Sequence, residues 1–427
     1  MDIMEKALNE ASKNSVYADV LFNRVRGTAI LKDKVEEKIY NQDMSSGLVV
    51  RILSESGVWL ETGTCNLHRK RKLLNSIRKL ARRCNSSDKL VKLYPVKPWK
   101  ANSEVKSILN SENILLEEKL ENVRNTFSIA SKVNEKVVNT RVLYAESLNE
   151  KIFINSDGSS LRQVIPRNRF SVLCVAKKED RIDYDYLSLG HTGGYELIKK
   201  IREEDIEAVG KSAVELLNAT EAPAARLPVI LSPSMTGTFA HESFGHGCEA
   251  DQVLRKRSYL INYIGEKIGG DEFTLYDDGT YPNGYGTMLF DDEGVKTSKT
   301  AIVKNGFLRT FLHDRVTASI MNAEPTGNSR RESFMRKNFI RMTNTYISPG
   351  DWNLDEMIDD IKLGVLMIRF ESGMEDPAGG GMQLKAKKGY LVESGKITKV
   401  LSNLALTGEV LEFVKNIDAI SRLEDFE

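Results

Sequence analysis

The chain has 427 residues, of which 41% are hydrophobic and 28% charged, and this balance is typical of soluble globular proteins rather than disordered ones. Lys and Arg total 61 against 60 for Asp and Glu, so no excess charge indicates a nucleic acid, a membrane surface or an acidic substrate as the partner. The length exceeds one ordinary core and predicts two domains of about 200 residues each.

The cysteine content and the N terminus indicate where the protein works. Cysteines stand far apart and without CxxC spacing, which argues against a disulfide framework and a cysteine-only zinc site. The first residues lack the basic start and apolar stretch of a signal peptide, and nowhere do about 18 uninterrupted apolar residues offer a membrane span. We therefore expect a cytoplasmic protein without membrane contact. The four cysteines are Cys65, Cys84, Cys174 and Cys248.

The first half of the chain mixes strand and helix signals. Runs rich in Val, Leu and Ile predict strands over 17–30, 47–53 and 57–64. Apolar residues at helical spacing predict helices over 69–83, 115–133 and 204–218. Between the last two helices, residues 136–189 form short β-prone runs separated by turn residues, which predicts an antiparallel meander. We expect an N-terminal domain over residues 1–220 that mixes α and β and contains an antiparallel sheet.

The helix predicted over 69–83 is strongly basic. Its apolar side includes Leu73, Ile77 and Ala81, and a basic face of this kind can bind nucleic acid. No aromatic interleaving or groove-reading pattern accompanies it, so we favour a solvated face of a helix that packs on the core. Nucleic acid is thus an unlikely partner. The basic residues are Arg69, Lys70, Arg71, Lys72, Arg78, Lys79, Arg82 and Arg83.

A polar, alanine-rich stretch over 218–226 is the predicted domain boundary. A strand follows over 227–231, and Ser232 then offers a capping hydroxyl while Pro233 suits the first turn of a helix. The remainder, over 273–406, carries many turn residues between β-prone runs. The C-terminal domain, residues 221–427, is therefore predicted to be β-rich with a helix that leaves a strand, and the whole chain to be α+β.

That helix carries the sequence His-Glu-Ser-Phe-Gly-His over 241–246. Imidazole nitrogens are good zinc ligands, and a glutamate beside a ligand can take a proton from water that the metal acidifies. We predict that His241 and His246 hold a metal and that Glu242 is the general base of a peptidase. The alternative is that both histidines are ordinary core or surface residues.

The spacing of the two histidines departs from the usual zinc-peptidase helix. Ligands five residues apart would diverge by about 140° on a regular helix, whereas the common four-residue spacing leaves about 40°. Gly245 and Gly247 flank His246, so either a π-bulge or a helix that ends at Gly245 could bring both rings to one metal.

A catalytic zinc normally takes a third protein ligand. The sequence offers several residues for this role and does not decide between them. The nearby candidates are Cys248, Glu249 and Asp251, and the distant ones are His191 and His313.

The segment 241–251, HESFGHGCEAD, resembles the metal-binding segment of the TldD and PmbA peptidase family. Further motifs in the expected order extend the resemblance over nearly the whole chain. They are YADV at 17–20, HTGGYE at 191–196, DDEG at 291–294, PTGN at 325–328 and RMTNT at 341–345, followed by Pro349 and Gly350.

The resemblance implies a cytoplasmic zinc peptidase with one zinc per active subunit, which cuts unfolded or small peptides within a dimer that encloses the active site. PmbA-type subunits lack the His-Glu pattern and partner a TldD-type subunit, so this chain resembles the TldD type and would form a homodimer or a heterodimer with a PmbA-like subunit. Asp292, Arg341 and Asn344 could line the substrate cleft, or could be turn residues of the β-rich domain.

One departure from the family leaves two interpretations. TldD-like proteins are expected to use a cysteine near the C terminus as third zinc ligand, and here no cysteine follows Cys248. Either the sequence is shortened, or this member has lost the ligand and binds metal weakly. An inactive peptide-binding subunit is therefore one alternative function. A regulator linked to DNA gyrase, prompted by an older label of the family, is another.

Overall fold

The structure is a computed structural model that describes residues 2–54, 57–82 and 92–422. Cys84, Arg83 of the basic helix and the chain end over 423–427 lie outside the described residues. No helix among the described residues is both long enough and apolar enough to cross a membrane.

The N-terminal half is built on one sheet, in which the described strands follow the order β3-β2-β1-β5-β6-β4 and β7 pairs with β6. All pairs are antiparallel except β4 with β6, so the predicted meander is confirmed. The strands are β1 (Tyr17–Lys32), β2 (Glu37–Leu53), β3 (Trp59–Thr64), β4 (Lys100–Glu104), β5 (Val137–Asn155), β6 (Ser160–Lys178) and β7 (Arg181–Thr192).

Helices cover this sheet in two groups, because each has an apolar stripe that packs on the strands. The first pair shares a core with Val20 and Val50, and a second group packs around Val142 and Val172. The helices are α1 (Asp2–Ala11), α2 (Lys70–Ala81), α3 (Leu116–Lys132), α4 (Glu196–Lys200) and α5 (Glu203–Leu216).

Helix α2 is the predicted basic helix. Leu73, Ile77 and Ala81 are buried in the core, while its described Arg and Lys side chains are exposed. Arg78 pairs with Glu10 of α1 at 2.9 Å. The basic residues therefore form the solvated side of a core-packed helix, as the sequence predicted.

The C-terminal half contains a sheet of order β8-β18-β17-β16-β9 with β19 on β17, a sheet of order β12-β11-β10-β15, and the pair β13-β14. Its β-rich character confirms the α+β fold class. The strands are β8 (Thr220–Glu221), β9 (Val229–Leu231), β10 (Leu275–Asp278), β11 (Lys299–Lys304), β12 (Phe307–Leu308), β13 (Ser329–Arg330), β14 (Phe339–Ile340), β15 (Thr345–Ile347), β16 (Leu363–Glu375), β17 (Gly381–Glu393), β18 (Lys396–Ser402) and β19 (Leu404–Glu409).

This half also holds more helix than the sequence indicated. The helix that leaves β9 has Pro233 in its first turn as predicted, but the Ser232 side chain makes no capping hydrogen bond. Four further helices of five to seven residues are too short to show helical periodicity in the sequence. The helices are α6 (Pro233–Phe239), α7 (Ala250–Leu254), α8 (Arg315–Met321), α9 (Leu354–Asp359) and α10 (Val410–Lys415).

The two halves make extensive contact. Phe290 from the C-terminal half is buried among Leu21, Phe153 and Leu161 of the first sheet. The short strand β8 straddles the predicted boundary at residue 220 and already pairs with β18 of the C-terminal sheet. The division into domains over 1–220 and 221–427 stays a prediction.

Candidate metal centre

The motif over 241–246 lies on a π-helical turn, Ala240–Gly245, that continues directly from α6. The backbone N–H of His246 donates to the carbonyl of His241 at 3.3 Å, which is the five-residue hydrogen bond of a π-helix. The wider turn compensates for the extra residue between the two histidines. The structure combines the two arrangements that the sequence left open, because the π-helical turn also ends the helix at Gly245.

Packing holds this turn in place. Phe244, which stands between the two histidines in the sequence, is fully buried. Its ring contacts Phe239 edge-on and Phe273 at a tilt, so this residue anchors the turn in the core. The Tyr259 hydroxyl donates to the carbonyl of Ser243 at 2.7 Å. Gly245 packs so closely on Met342 that an added Cβ would lie 1.8 Å from its sulfur, which explains the need for glycine.

The two imidazole rings lie close together in an edge-to-face arrangement. The ring centroids of His241 and His246 are 5.0 Å apart and the ring planes make an angle of 86°. Two imidazoles that share a tetrahedral zinc, with each nitrogen about 2.1 Å from it, would place their centroids about 5 to 5.5 Å apart. The centroid separation alone therefore suits a shared ion, but the nitrogens of His241 are not among the ligand atoms that lie within 4.8 Å of one another at this site.

A carboxylate that the sequence did not single out completes the group. Glu375, the last residue of β16, has a carboxylate oxygen that lies with ligand atoms of Glu242 and His246 within 4.8 Å of one another. Its Oε2 is buried and has no hydrogen-bond partner among the described residues. An acid at the end of a strand is a common surface feature, so nothing in its local sequence marks this residue.

Glu242 lies beside the metal group and against the backbone of β16. A Cβ added to Gly373 would be 3.1 Å from Cγ of Glu242, so the absence of a side chain on this strand leaves room for the glutamate. Glu242 follows His241 directly and belongs to the same close group as His246 and Glu375. This is the position that a general base beside a metal requires.

Glu249 serves His246 rather than the metal group. It is buried, and its Oε1 lies 3.4 Å from Nδ1 of His246. Both of its oxygens accept hydrogen bonds from one guanidinium nitrogen of Arg341, at 2.8 and 2.7 Å. A carboxylate on Nδ1 orients the ring and leaves Nε2 free to bind a metal.

The ionisable groups of the site have perturbed pKa values. Burial lowers the pKa of His241, and the nearby His246 lowers it further. The Glu249 carboxylate raises the pKa of His246. Burial raises the pKa of Glu375 to about 7, although the neighbouring His246 opposes this. A cation among these groups would favour ionised Glu375 and neutral imidazoles.

The other third-ligand candidates lie elsewhere. Cys248 is fully buried with a raised thiol pKa, and Asp251 faces Arg255 at 3.8 Å. His191 contacts the carbonyl of Gly194, and His313 contacts the Thr317 hydroxyl with a pKa lowered to about 4 by burial. None of these belongs to the one close group of ligand side chains among the described residues.

The donor set fits a zinc ion. The close group offers the His246 imidazole and the carboxylates of Glu242 and Glu375, whose Oε2 is buried without a hydrogen-bond partner among the described residues, and zinc binds such mixed nitrogen and oxygen ligands. His246 and Glu375 would hold the ion with Glu242 beside it. The predicted ligand His241 is exposed and lies outside this close group, so its ring would have to turn towards the group to bind the same ion.

A cavity of about 660 Å³ opens between the first sheet and the C-terminal half, and both histidines line it. The three residues that the resemblance placed in a substrate cleft, Asp292, Arg341 and Asn344, also line it. Side chains from β5 and β6, Lys151 and Arg167, form the opposite wall. The site is therefore built from both halves of the chain.

Comparison with known proteins places this site in a family. Residues 109–220 match the family profile of the PmbA/TldA metallopeptidase central domain, and residues 224–427 match that of the C-terminal domain. A metalloprotease of Methanocaldococcus jannaschii is 35% identical over 419 residues, which cover 96% of this chain and 90% of the relative. The chain belongs to the PmbA/TldD family of metallopeptidases. The resemblance drawn from the motifs is confirmed.

A second relative of this PmbA/TldD protein is named for its metal. The zinc metalloprotease TldD homolog of Saccharolobus solfataricus is 28% identical over 309 residues, which cover 72% of this chain and 69% of the relative. Its name assigns zinc to that protein.

Solved structures share the fold of this PmbA/TldD chain. One from Thermotoga maritima, whose name refers to modulation of a DNA gyrase, has a TM-score of 0.84 at 20% identity and covers 100% of this chain and 96% of its own. TldE from Thermococcus kodakarensis has a TM-score of 0.82 at 18% identity, with coverage of 98% and 94%. At these identities the likeness establishes the fold alone.

Proposed function

We propose that this protein is a zinc-dependent peptidase that hydrolyses unfolded or small peptides. The observation that carries the proposal is the close group of Glu242, His246 and Glu375, which adjoins a cavity lined by His241 and His246. The metalloprotease relatives support it. A zinc ion held by these groups would supply a Lewis acid for the peptide carbonyl and for the attacking water.

In this proposal Glu242 carries the proton. Its carboxylate takes a proton from the attacking water as the new C–O bond forms, and gives that proton to the amine as the C–N bond breaks. His246 keeps its orientation because Glu249 contacts Nδ1, and Arg341 fixes Glu249 in turn.

The size of the cavity supports a peptide as the substrate. Its volume of about 660 Å³ is within the range of about 300–1,000 Å³ that small-molecule sites span. Such a cavity admits a short extended segment and excludes a folded domain. We also propose that the chain works as a dimer, with a second copy or with a PmbA-like subunit.

Replacing Glu242 with Gln tests the role of the base. We expect peptide hydrolysis to fall by about 10²–10⁴-fold, because the proton acceptor is lost while both imidazoles remain. Bound zinc, measured by atomic absorption, should stay near the wild-type level. Turnover like that of the wild type would refute the assignment.

The control is Glu371→Gln, an exposed glutamate on the same strand as Glu375 that does not line the cavity. This variant should keep full activity. Light scattering on the same samples would distinguish a 48.0 kDa monomer from a dimer. Zinc binding by the wild type without hydrolysis of any peptide would favour the alternative of an inactive peptide-binding subunit.

A further inference from the structure

The cavity beside the metal group has a strongly basic wall. The cationic side chains that line it come from both halves of the chain, whereas Asp292 and Glu332 are its acidic lining residues. The whole chain is nearly neutral, so this local excess of positive charge is a property of the site. The cationic residues are Lys151, Arg167, Arg330, Arg331 and Arg341.

Three of these cations are paired with acids. Lys151 contacts Asp292 at 2.5 Å, and Arg331 contacts Glu61 at 2.7 Å. Arg341 contacts Glu249 at 2.7 Å, in the arrangement that orients His246. Their charges are therefore largely balanced by the protein itself.

Arg330 is different. It is the last residue of β13 and is half-buried in the cavity, yet its guanidinium makes no hydrogen bond or ion pair with any residue that the structure describes. Burial lowers its pKa, although the charges of Asp292 and Asp277 oppose this. Guanidinium groups remain charged in proteins, so a partly desolvated charge without a direct partner stands in the cavity.

Arg167 of β6 also lines the cavity, on the side of the first sheet. Its Nε donates to the carbonyl of Tyr285 at 2.8 Å, and it contacts no acid among the described residues. Burial lowers the pKa of Arg167, and the like charge of Arg330 lowers it further. Two guanidinium groups thus repel each other across a cavity that is partly closed to water, and an anion between them would relieve that cost.

We propose that Arg330, assisted by Arg167, binds a carboxylate of the peptide substrate. This inference rests on the proposed peptidase function and names its substrate class. A guanidinium binds a carboxylate through two parallel hydrogen bonds, which gives both affinity and orientation. The carboxylate has two sources in a peptide, the C-terminal α-carboxylate and the side chain of Asp or Glu.

Binding of four peptides to the Glu242→Gln protein tests this inference without interference from cleavage. Each is an eight-residue Ala-Gly peptide with an uncharged fluorophore on its N terminus. Two differ only in a free carboxylate or a carboxamide at the C terminus. The other two have the carboxamide end and differ only in one internal Glu or Gln. Fluorescence anisotropy gives Kd for each.

At least one carboxylate peptide should bind about tenfold to a hundredfold more tightly than its neutral twin. Adding Arg330→Gln should remove most of the difference in Kd between the carboxylate peptide and its neutral twin, and should leave the Kd of the neutral peptides unchanged. Arg167→Gln should reduce the same difference. Arg330→Lys should retain part of it, because the charge remains while the paired hydrogen bonds are lost. The control is Arg226→Gln, which removes an exposed cation outside the cavity and should change nothing.

Equal Kd values within both pairs would overturn the inference, as would a carboxylate preference that survives both Arg330→Gln and Arg167→Gln. The pair that shows the preference identifies the source of the carboxylate. Hydrolysis by the zinc-loaded wild type is measured separately. A carboxylate preference without hydrolysis would refute the proposed peptidase function but would support the carboxylate-binding site.

Discussion

The buried carboxylate of Glu375 destabilises the metal-free folded protein, but the same carboxylate is suited to bind a metal. Its buried oxygen has no partner among the described residues, and burial raises its pKa from 4.5 to about 7. Between these two pH values the folded protein holds a proton that the unfolded chain releases. Stability therefore falls as the pH rises through this window, and the cost is fully present above pH 7. A bound cation would reverse the balance, because it favours the ionised carboxylate.

Replacing Glu375 with Gln should separate the two effects. The metal-free variant should melt at a higher temperature than the wild type at pH 8 and show a smaller difference at pH 5, because Gln carries no charge to bury. Its zinc affinity should fall about tenfold to a hundredfold, the loss expected when a site loses a ligand or its close support. Thermal unfolding by circular dichroism and competitive zinc titration measure these quantities, with Glu371→Gln as the exposed control. An unchanged zinc affinity would remove Glu375 from the ligand set.

At the scale of secondary structure, the sequence predicted the irregular turn that carries the two histidines, but it did not predict Glu375 as a metal ligand. Gly245 and the five-residue spacing indicated a π-bulge or a helix end, and the structure has both features, since a π-helical turn ends the helix at Gly245. Glu375 could not be found in this way. It reaches the site only because β16 pairs in parallel with β9, the strand that leads into α6, and such long-range pairing has no signature in one sequence.

The π-helical turn should be sensitive to a single methyl group. Gly245→Ala places Cβ against the Met342 sulfur, so we expect a loss of about 1–3 kcal/mol in the free energy of unfolding, together with weaker zinc binding as His246 shifts. Gly237→Ala, in the preceding helix α6, is the matched control. Nothing lies within 4 Å of the new Cβ there, so that variant should be neutral or more stable by about 0.5–1 kcal/mol.

A double variant checks the cause of the loss at Gly245. If steric contact with Met342 is responsible, Gly245→Ala with Met342→Ala should lose less stability than the sum of the two single changes. Urea unfolding of the four proteins gives the coupling. Additive losses would instead attribute the effect to the helical backbone itself.

At the scale of the whole molecule, the sequence predicted the α+β class and the β-rich second half because strand and turn signals are local. It did not predict how the halves meet. Arg51 of β2 lies in the first sheet and contacts both Asp19 and Glu293, at 2.5 and 3.0 Å, with all three side chains buried. Glu293 adjoins Asp292, which contacts Lys151 of the cavity wall. These charges are scattered along the chain and acquire partners only in the folded structure.

Removing Arg51 should therefore destabilise the whole protein. Arg51→Met leaves Asp19 and Glu293 buried without their cation, and breaking a buried pair in this way costs about 3–5 kcal/mol. The measurement is the urea midpoint and slope at pH 7. Arg226→Met breaks an exposed pair with Glu412 and should change the free energy of unfolding by less than about 0.5 kcal/mol. If Arg51→Met unfolds at the wild-type midpoint, apolar contacts such as those of Phe290 hold the two halves together without this ion network.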